Sequence, residues 1–460
     1  MKVMKFGSSS VQDSSRIRAT VTIALEGEER KAVVLSAMRG VTEKLIAAAA
    51  EAERGQPTYR EHVREIALRQ TQAVRELFAE GEGTLAKLRG LLEELEEILT
   101  GIELVRECSP RSLDLVMSFG ERINCTLVAD YMASLGHPAV YVDAREIIRT
   151  NDSHGRAEVD FAESYRLIKG RLAGAGGIPV ITGLIAASRE GATTTLGRNG
   201  SDYTASIVAA ALGAQVIEIW TDVDGVMSAD PRFVAGAFVI PEMSFQEAME
   251  LSYFGAKVLH PNTMIPAVDK GIPILIKNTL NPSAPGTLIS GGAPRSSRPI
   301  TGIASIENVA LINVEGGGMI GVPGFASRVF AALARAGVNV IMISQASSEH
   351  SICLVFRAGE AEAAMRSLSA ELGREIAAGR LQQPQLVNDL EIIAVIGENM
   401  RGTPGISGRL FSALGVDRIN VLAIAQGSSE RNISLVIDRK DKLKALGAIH
   451  RAFLEEASTR

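Results

Sequence analysis

Four short segments in the first 260 residues carry residue types suited to anion chemistry. Lys5-Phe6-Gly7-Ser8-Ser9-Ser10 sets a lysine ahead of a glycine–hydroxyl loop. Backbone amides plus one mobile cation hold phosphate oxygens in that pattern, although the same string also suits a surface turn. Ser118-Phe119-Gly120-Glu121 places a carboxylate after a glycine at an expected helix start, as a cap or as partner to a ligand's cation. Leu196-Gly197-Arg198-Asn199-Gly200-Ser201-Asp202 opens a helix, where free amides and Arg198 suit a carboxylate or a phosphate. Thr221-Asp222-Val223-Asp224-Gly225, running on to Asp230 and Arg232, follows an apolar run. Its aspartates lack the spacing of a calcium hand, so no protein-held metal is expected. No Walker-type phosphate loop occurs, so any nucleotide is held by other means.

Loops of this kind need strands to deliver them. Lys31–Ser36, Pro138–Asp143, Ile178–Thr182, Gln215–Thr221 and Pro273–Lys277 are β-branched bursts ending in small or polar residues. Helical patterns at Asp202–Leu212 and Phe245–Val258 alternate with them, which predicts an α/β domain on a mainly parallel sheet over 1–290. The Glu/Leu/Ala/Arg-rich stretch from 60 to 106 reads as long peripheral helices, and prolines between 281 and 300 mark a linker. Beyond it the chain repeats itself. Val338–Phe356 and Ile419–Ile437 share ten of nineteen positions, and the register runs back through Pro323-Gly324 and Pro404-Gly405. Each copy reads as strand, Pro-Gly loop, helix, strand, hairpin and strand, a ferredoxin-like module. The expected bounds are 300–385 for the first, possibly completed by 440–460, and 390–440 for the second. Gly316-Gly317-Gly318-Met319-Ile320-Gly321 matches a dinucleotide fingerprint by letter, but the next strand lacks the acidic residue that would hold a ribose.

The net charge of −5 offers no basic face for nucleic acid. No apolar stretch reaches the length of a membrane span, and Cys108, Cys125 and Cys353 at unrelated spacings fit reduced thiols. These features, with an N-terminus that enters its first motif at once, lead us to expect a cytoplasmic protein.

Together, in this order, the four segments and Phe254-Gly255-Ala256-Lys257-Val258-Leu259-His260-Pro261 resemble the aspartokinases of the amino-acid kinase superfamily. The repeat resembles the paired ACT domains of those enzymes, most closely the kinase half of bifunctional aspartokinase–homoserine dehydrogenases. The resemblance implies a three-layer α/β kinase domain, then two ACT modules. It implies ATP with nucleotide-bound Mg²⁺, L-aspartate as acceptor, and a homo-oligomer in the lysine, threonine and methionine biosynthetic route. Lys5 would neutralise the transferring phosphoryl group and Asp202 would organise Lys5. Gly7, Ser8, Thr221, Asp222, Arg232 and Lys257 would hold the nucleotide. Glu121 would pair with the substrate ammonium while Arg198 and Ser201 grip its carboxylates, with Ser36 and Thr42 lining the pocket. Asn339, Gln345, Asn420 and Gln426 would bind an amino-acid effector, expected to be threonine because an amide suits a neutral side chain. Two positions depart from the family pattern: Ser8 replaces a glycine in a tight loop, and Met227 stands where tyrosine is frequent.

A carboxylate with an ordinary pKa near 3.9 is already a nucleophile at neutral pH. No general base is then required, and His260 reads as structural. A catalytically dead effector-binding protein and a kinase of another carboxylate are the competing readings. The joint presence of Lys5, Glu121, Arg198, Asp202 and Asp222 disfavours the first, and the duplicated tail disfavours the second.

Overall fold

Lys31-Ala-Val-Val-Leu35 is buried along its whole length, as a strand covered by helices on both faces must be. It belongs to the first of two compact units in the computed structural model, which describes residues 1–255, 259–292, 298–345 and 349–455. That unit takes Met1–Val226, Pro241–Met249 and residues 259–292. In chain order its strands are β1 (Lys2–Phe6), β2 (Lys31–Leu35), β3 (Ala139–Val142), β4 (Arg149–Thr150), β5 (Ile178–Thr182) and β6 (Ile185–Ser188). β7 (Thr193–Thr195), β8 (Val216–Thr221), β9 (Glu242–Ser244), β10 (Ile274–Asn278) and β11 (Thr287–Ser290) follow. The main sheet runs β3-β5-β2-β1-β8-β10-β11-β9 and is parallel except between β10 and β11; β4, β6 and β7 form a small second sheet.

Met4, Phe6, Val33 and Leu35 pack into one core with the helices Ser14–Leu25, Val41–Glu53, Tyr59–Leu77, Glu82–Val105 and Pro110–Ser134. The Tyr59–Leu77 helix shows why: Tyr59, Val63, Ile66, Gln70, Ala73, Val74 and Leu77 recur at helical spacing and are its buried residues. By the two-residue strand period, Val3 and Lys5 turn to the other face, where the helix Gly200–Leu212 packs on β1, β2 and β8. The sheet lies between two helical layers, the three-layer arrangement expected. Thr287–Ser290, read as linker, is a strand between β10 and β9 that alternates buried and half-buried residues.

The second unit takes Met227–Ile240, residues 250–255 and residues 298–455. Its strands are β12 (Gly302–Glu315), β13 (Met342–Gln345), β14 (Ser351–Arg357), β15 (Gln385–Ile396), β16 (Ala423–Gln426) and β17 (Asn432–Asp438). The two repeats share one antiparallel sheet, β13-β14-β12-β15-β17-β16, joined through β12 and β15. Each copy has a helix after its Pro-Gly loop, Phe325–Arg335 or Ile406–Val416, and a second after its last strand, Ala361–Glu371 or Lys442–His450.

Two expected bounds change. The C-terminal helix completes the second copy rather than the first: Leu446, Ile449, Phe453 and Leu454 pack with Leu410, Leu414, Ile433 and Leu435. Burying each large apolar side chain contributes roughly 1.5–3 kcal/mol, ample to fix that choice. Residues 227–240, expected inside a kinase domain of 1–290, belong to the second unit. Ala229 and Val234 join its core, and Ser228 meets the buried His450 ring at 3.2 Å.

Candidate functional site

Loops from the C-terminal ends of neighbouring parallel strands meet, which is where open α/β sheets bind ligands. The Gly7 N–H donates to the Trp220 carbonyl at 3.1 Å, the Ser36 N–H to Phe6 at 3.2 Å, and the Gly183 N–H to Leu35 at 2.9 Å. Lys5 projects beneath them, and its Nζ lies 2.7 Å from Oδ1 of Asp202 in an almost buried ion pair. Asp202 stands in the first turn of the helix Gly200–Leu212, whose cap, Asn199, has φ +53° and donates to Oδ2 of Asp202 at 3.2 Å. Ser201 from the same turn receives the Ser36 hydroxyl at 3.0 Å. The Asn124 amide donates to the Ser36 carbonyl at 2.7 Å.

Glu121 completes this cluster. Its Oε1 accepts the Ala37 N–H at 3.1 Å, and its Oε2 is buried without a partner among the described residues. The helix reaches this loop only because residue 120 is glycine: a Cβ there would stand 2.8 Å from that of Ala37. Burial pushes the Glu121 carboxyl up to about 8, only partly offset by the Ala37 amide. An unpaired carboxyl in so dry a place wants a cation. Glu121 is therefore no helix cap; it sits mid-helix in Pro110–Ser134. Thr42 lies half-buried in the first turn of the helix Val41–Glu53, and Arg198 is exposed at the turn before Gly200.

A second pocket, about 160 Å³, opens beside this one. Ser9, Ser10, Gln12, Arg16, Arg39, Thr221, Asp222, Thr279 and Leu280 line it, bringing Thr221 at the end of β8 and the following Asp222 together with the Lys5–Ser10 loop. The Ser10 hydroxyl is 2.7 Å from that of Thr279. Arg16 and Arg39 are cations that motif reading missed. Arg39 sits inside the Ser36–Thr42 string and could have been suspected there, but Arg16 and Thr279 have no local signal. Ser8 is exposed in a short 3₁₀ turn and is not among the residues with positive φ, so replacing the family's glycine there strains nothing. Arg232 falls in the second unit, where it makes a bidentate ion pair with Asp230, Nη2 to Oδ2 at 2.5 Å. The pair is made within one loop, and the Arg232 side chain stays largely exposed. Lys257 lies outside the described residues. Among the described residues no three His, Cys, Asp or Glu side chains gather as a metal site.

In the second unit a cavity of about 240 Å³ is bounded by Met319, Val322, Pro323, Gly324, Phe325, Ala326, Gln345, Glu349 and Ile352. Gln345 ends β13 there, and Gln426 ends β16 at the equivalent point of the second copy. Asn339 and Asn420 are exposed just ahead of those strands, and Asn339 is not part of the described lining. Glu349 and Glu430 each reach back to the loop, accepting the N–H of Gly321 at 2.8 Å and of Gly402 at 2.7 Å.

Comparison with known proteins bears directly on this arrangement. The family model "Amino acid kinase family" matches residues 1–278, and an ACT domain model matches 312–372 and 393–453. The chain belongs to the amino acid kinase family. Within that family it is 36% identical to Aspartokinase 3, chloroplastic, of Arabidopsis thaliana, over 98% of this chain and 81% of that protein. It is 40% identical to Bifunctional aspartokinase/homoserine dehydrogenase 2, chloroplastic, of the same plant, over 99% of this chain and 51% of that protein. The chain thus spans about half the length of the bifunctional relatives it matches. Among solved structures, E. coli aspartokinase III in complex with aspartate and ADP superposes with a TM-score of 0.83 at 30% identity, covering 98% of this chain and 99% of that one. The same enzyme in complex with lysine and aspartate gives 0.80 at 30% identity over 99% of each chain. The kinase family model spans the main sheet and its strand-end loops, and the ACT model spans both copies of the repeat. No helix among the described residues is long and apolar enough to cross a membrane.

Proposed function

We propose that this family member is an aspartate kinase, transferring the γ-phosphoryl group of ATP to the side-chain carboxylate of L-aspartate to give 4-phospho-L-aspartate. The reaction would open the route to lysine, threonine and methionine. The observation that carries this reading is the buried, half-unsatisfied Glu121 beside the Lys5–Asp202 and Ser36–Ser201 pairs. An α-ammonium suits Glu121, while Arg198 and Ser201 supply donors for carboxylates. Lys5, held by Asp202, would neutralise charge where two anions are brought together, so positioning and electrostatics do the catalysis. Arg16, Arg39 and the Ser8 and Ser9 amides suit the nucleotide phosphates, with Thr221 and Asp222 at the same pocket. Mg²⁺ would arrive on those phosphates and supply further charge neutralisation, with Asp222 the carboxylate at hand. The three cysteines are free, which fits a reducing compartment such as the cytoplasm.

The test is ADP release measured with aspartate, glutamate and other small dicarboxylates. Aspartate should be strongly preferred, and Glu121→Ala should raise the KM for aspartate far more than that for ATP. Equal use of glutamate, or an unchanged aspartate KM in the variant, would refute the assignment.

The same reading makes the Gln345 cavity an effector site, with Gln426 at the equivalent point of the second copy. Threonine suits the Gln345 amide and the apolar wall of Val322 and Phe325. Lysine is the second reading, favoured by Glu349 in the lining, since that carboxylate could meet a second ammonium. Millimolar threonine against lysine, in wild type and Gln345→Ala, separates them. Ile343 and Ile424, exposed at matching points of β13 and β16, support self-association through the second unit. A monomer in light scattering at micromolar concentration would rule that out.

A further inference from the structure

Asp114 is 1% exposed and lies seven residues before Glu121 in the helix Pro110–Ser134. Two turns apart, the two carboxylates share a helix face, about 10 Å from one another along the axis. Asp114 accepts the Thr195 hydroxyl at 2.6 Å, the His154 Nδ1–H at 2.9 Å, and the Gly155 N–H at 3.2 Å to one oxygen and 3.0 Å to the other. None of these donors belongs to its own helix. Thr195 ends β7, and His154 and Gly155 form the turn that runs alongside it, bonded through the Ala157 N–H to the Thr195 carbonyl at 2.9 Å. One buried anion therefore clamps the helix that carries Glu121 to the segment from which Leu196, Gly197 and Arg198 depart. Gly197 has φ +78° and rests on the same turn: a Cβ there would come 3.3 Å from that of Arg156 and 3.4 Å from the Gly155 carbonyl.

We propose that Asp114 is a positioning residue that sets the separation of Glu121 and Arg198, and through it the length of amino dicarboxylic acid the enzyme accepts. The inference rests on the reading above, in which those two side chains take the two ends of the substrate. Charge-assisted bonds to a buried carboxylate are the stronger kind, and this one holds three donors at once. An asparagine of the same shape offers one acceptor oxygen and turns an NH₂ toward donors, so at least one bond is replaced by a donor–donor clash. The turn under Gly197 then loosens while Lys5, Asp202 and the nucleotide pocket keep their own bonds. Arg198 would no longer be held at aspartate length, and the longer glutamate would be discriminated against less.

The experiment uses the full chain and measures kcat and KM for aspartate, glutamate and ATP in wild type, Asp114→Asn, His154→Ala and His154→Gln. In Asp114→Asn the aspartate KM should rise at least tenfold, with the ATP KM within twofold of wild type. The preference for aspartate over glutamate in kcat/KM should narrow at least tenfold. His154→Ala should move the same quantities less, and His154→Gln, which keeps an N–H for Asp114, should return toward wild type. A folded Asp114→Asn with unchanged aspartate KM and selectivity, or with both KM values raised alike, overturns the proposal. Should Asp114→Asn not fold, the His154 pair decides, and identical behaviour of alanine and glutamine there overturns it as well. Wild-type chain that releases no ADP with aspartate refutes instead the functional reading on which the proposal stands.

Discussion

Replacing Glu121 by glutamine should stabilise the substrate-free protein increasingly as pH rises, while removing its grip on aspartate. Glu121 is 2% exposed, and one of its oxygens has no partner among the described residues. Burial carries its pKa from the ordinary 4.5 to about 8, a difference of 8 − 4.5. At 1.36 kcal/mol per unit, the buried carboxylate costs about 5 kcal/mol more than the neutral acid. The folded protein keeps a proton that the unfolded chain has already released. The stability this contributes is complete below pH 4.5 and is lost as pH rises through 8. At pH 5 the protonated acid and the amide are nearly isosteric, so wild type and Glu121→Gln should unfold at similar temperatures. Toward pH 8.5 their curves should separate, with the variant the more stable. Aspartate adds a second readout: its ammonium pairs with the ionised carboxyl, so binding at pH 7 should release a proton from Glu121, whose pKa burial raises to about 8. Thermal unfolding from pH 5 to 9, and calorimetry in buffers of different ionisation enthalpy, measure both. Parallel unfolding curves together with no proton release would refute the reasoning.

Lys5→Ala should lower kcat by at least a thousandfold and also destabilise the fold, because it strands Asp202 as a buried charge. Lys5→Ala with Asp202→Asn should recover the melting temperature but not the turnover, which separates the two roles. Gly120→Ala should cost about 1–3 kcal/mol in thermal or urea unfolding and raise the aspartate KM, since its methyl must displace Ala37 from Glu121. Ser8→Gly should change neither stability by more than about 0.5 kcal/mol nor the ATP KM by more than twofold, because Ser8 is exposed at negative φ.

The kinase sheet was legible because its central strands are apolar on both faces and short, and each delivers a Gly/Ser/Asp loop at its end. Glu121 was legible as a residue but not as an environment. Nothing in Ser118-Phe119-Gly120-Glu121 says that the helix begins eight residues before Ser118, or that Gly120 presses on Ala37. Asp114, His154 and Thr195 went unread because their contact is made at sequence separations of 40 and 81, where local pattern carries no information. The repeat announced two modules, yet the destination of the helix Lys442–His450 depended on which core its Leu446 and Ile449 would fill. Residues 227–240 follow a kinase strand and lie within the stretch the kinase family model matches, so sequence order groups them with the first unit. Burial of Ala229 and Val234 against the second module decided otherwise.

The central claim is that the phosphoryl group goes to a carboxylate, making an acyl phosphate. Hydroxylamine trapping tests this most directly, because it captures acyl phosphates as hydroxamates and leaves phosphate esters and phosphoramidates untouched. With ATP, Mg²⁺ and aspartate, the wild-type chain should form aspartyl hydroxamate in step with ADP, and Lys5→Ala should form almost none. ADP released on aspartate addition without any hydroxamate, or hydroxamate formed equally by Lys5→Ala, would contradict the account.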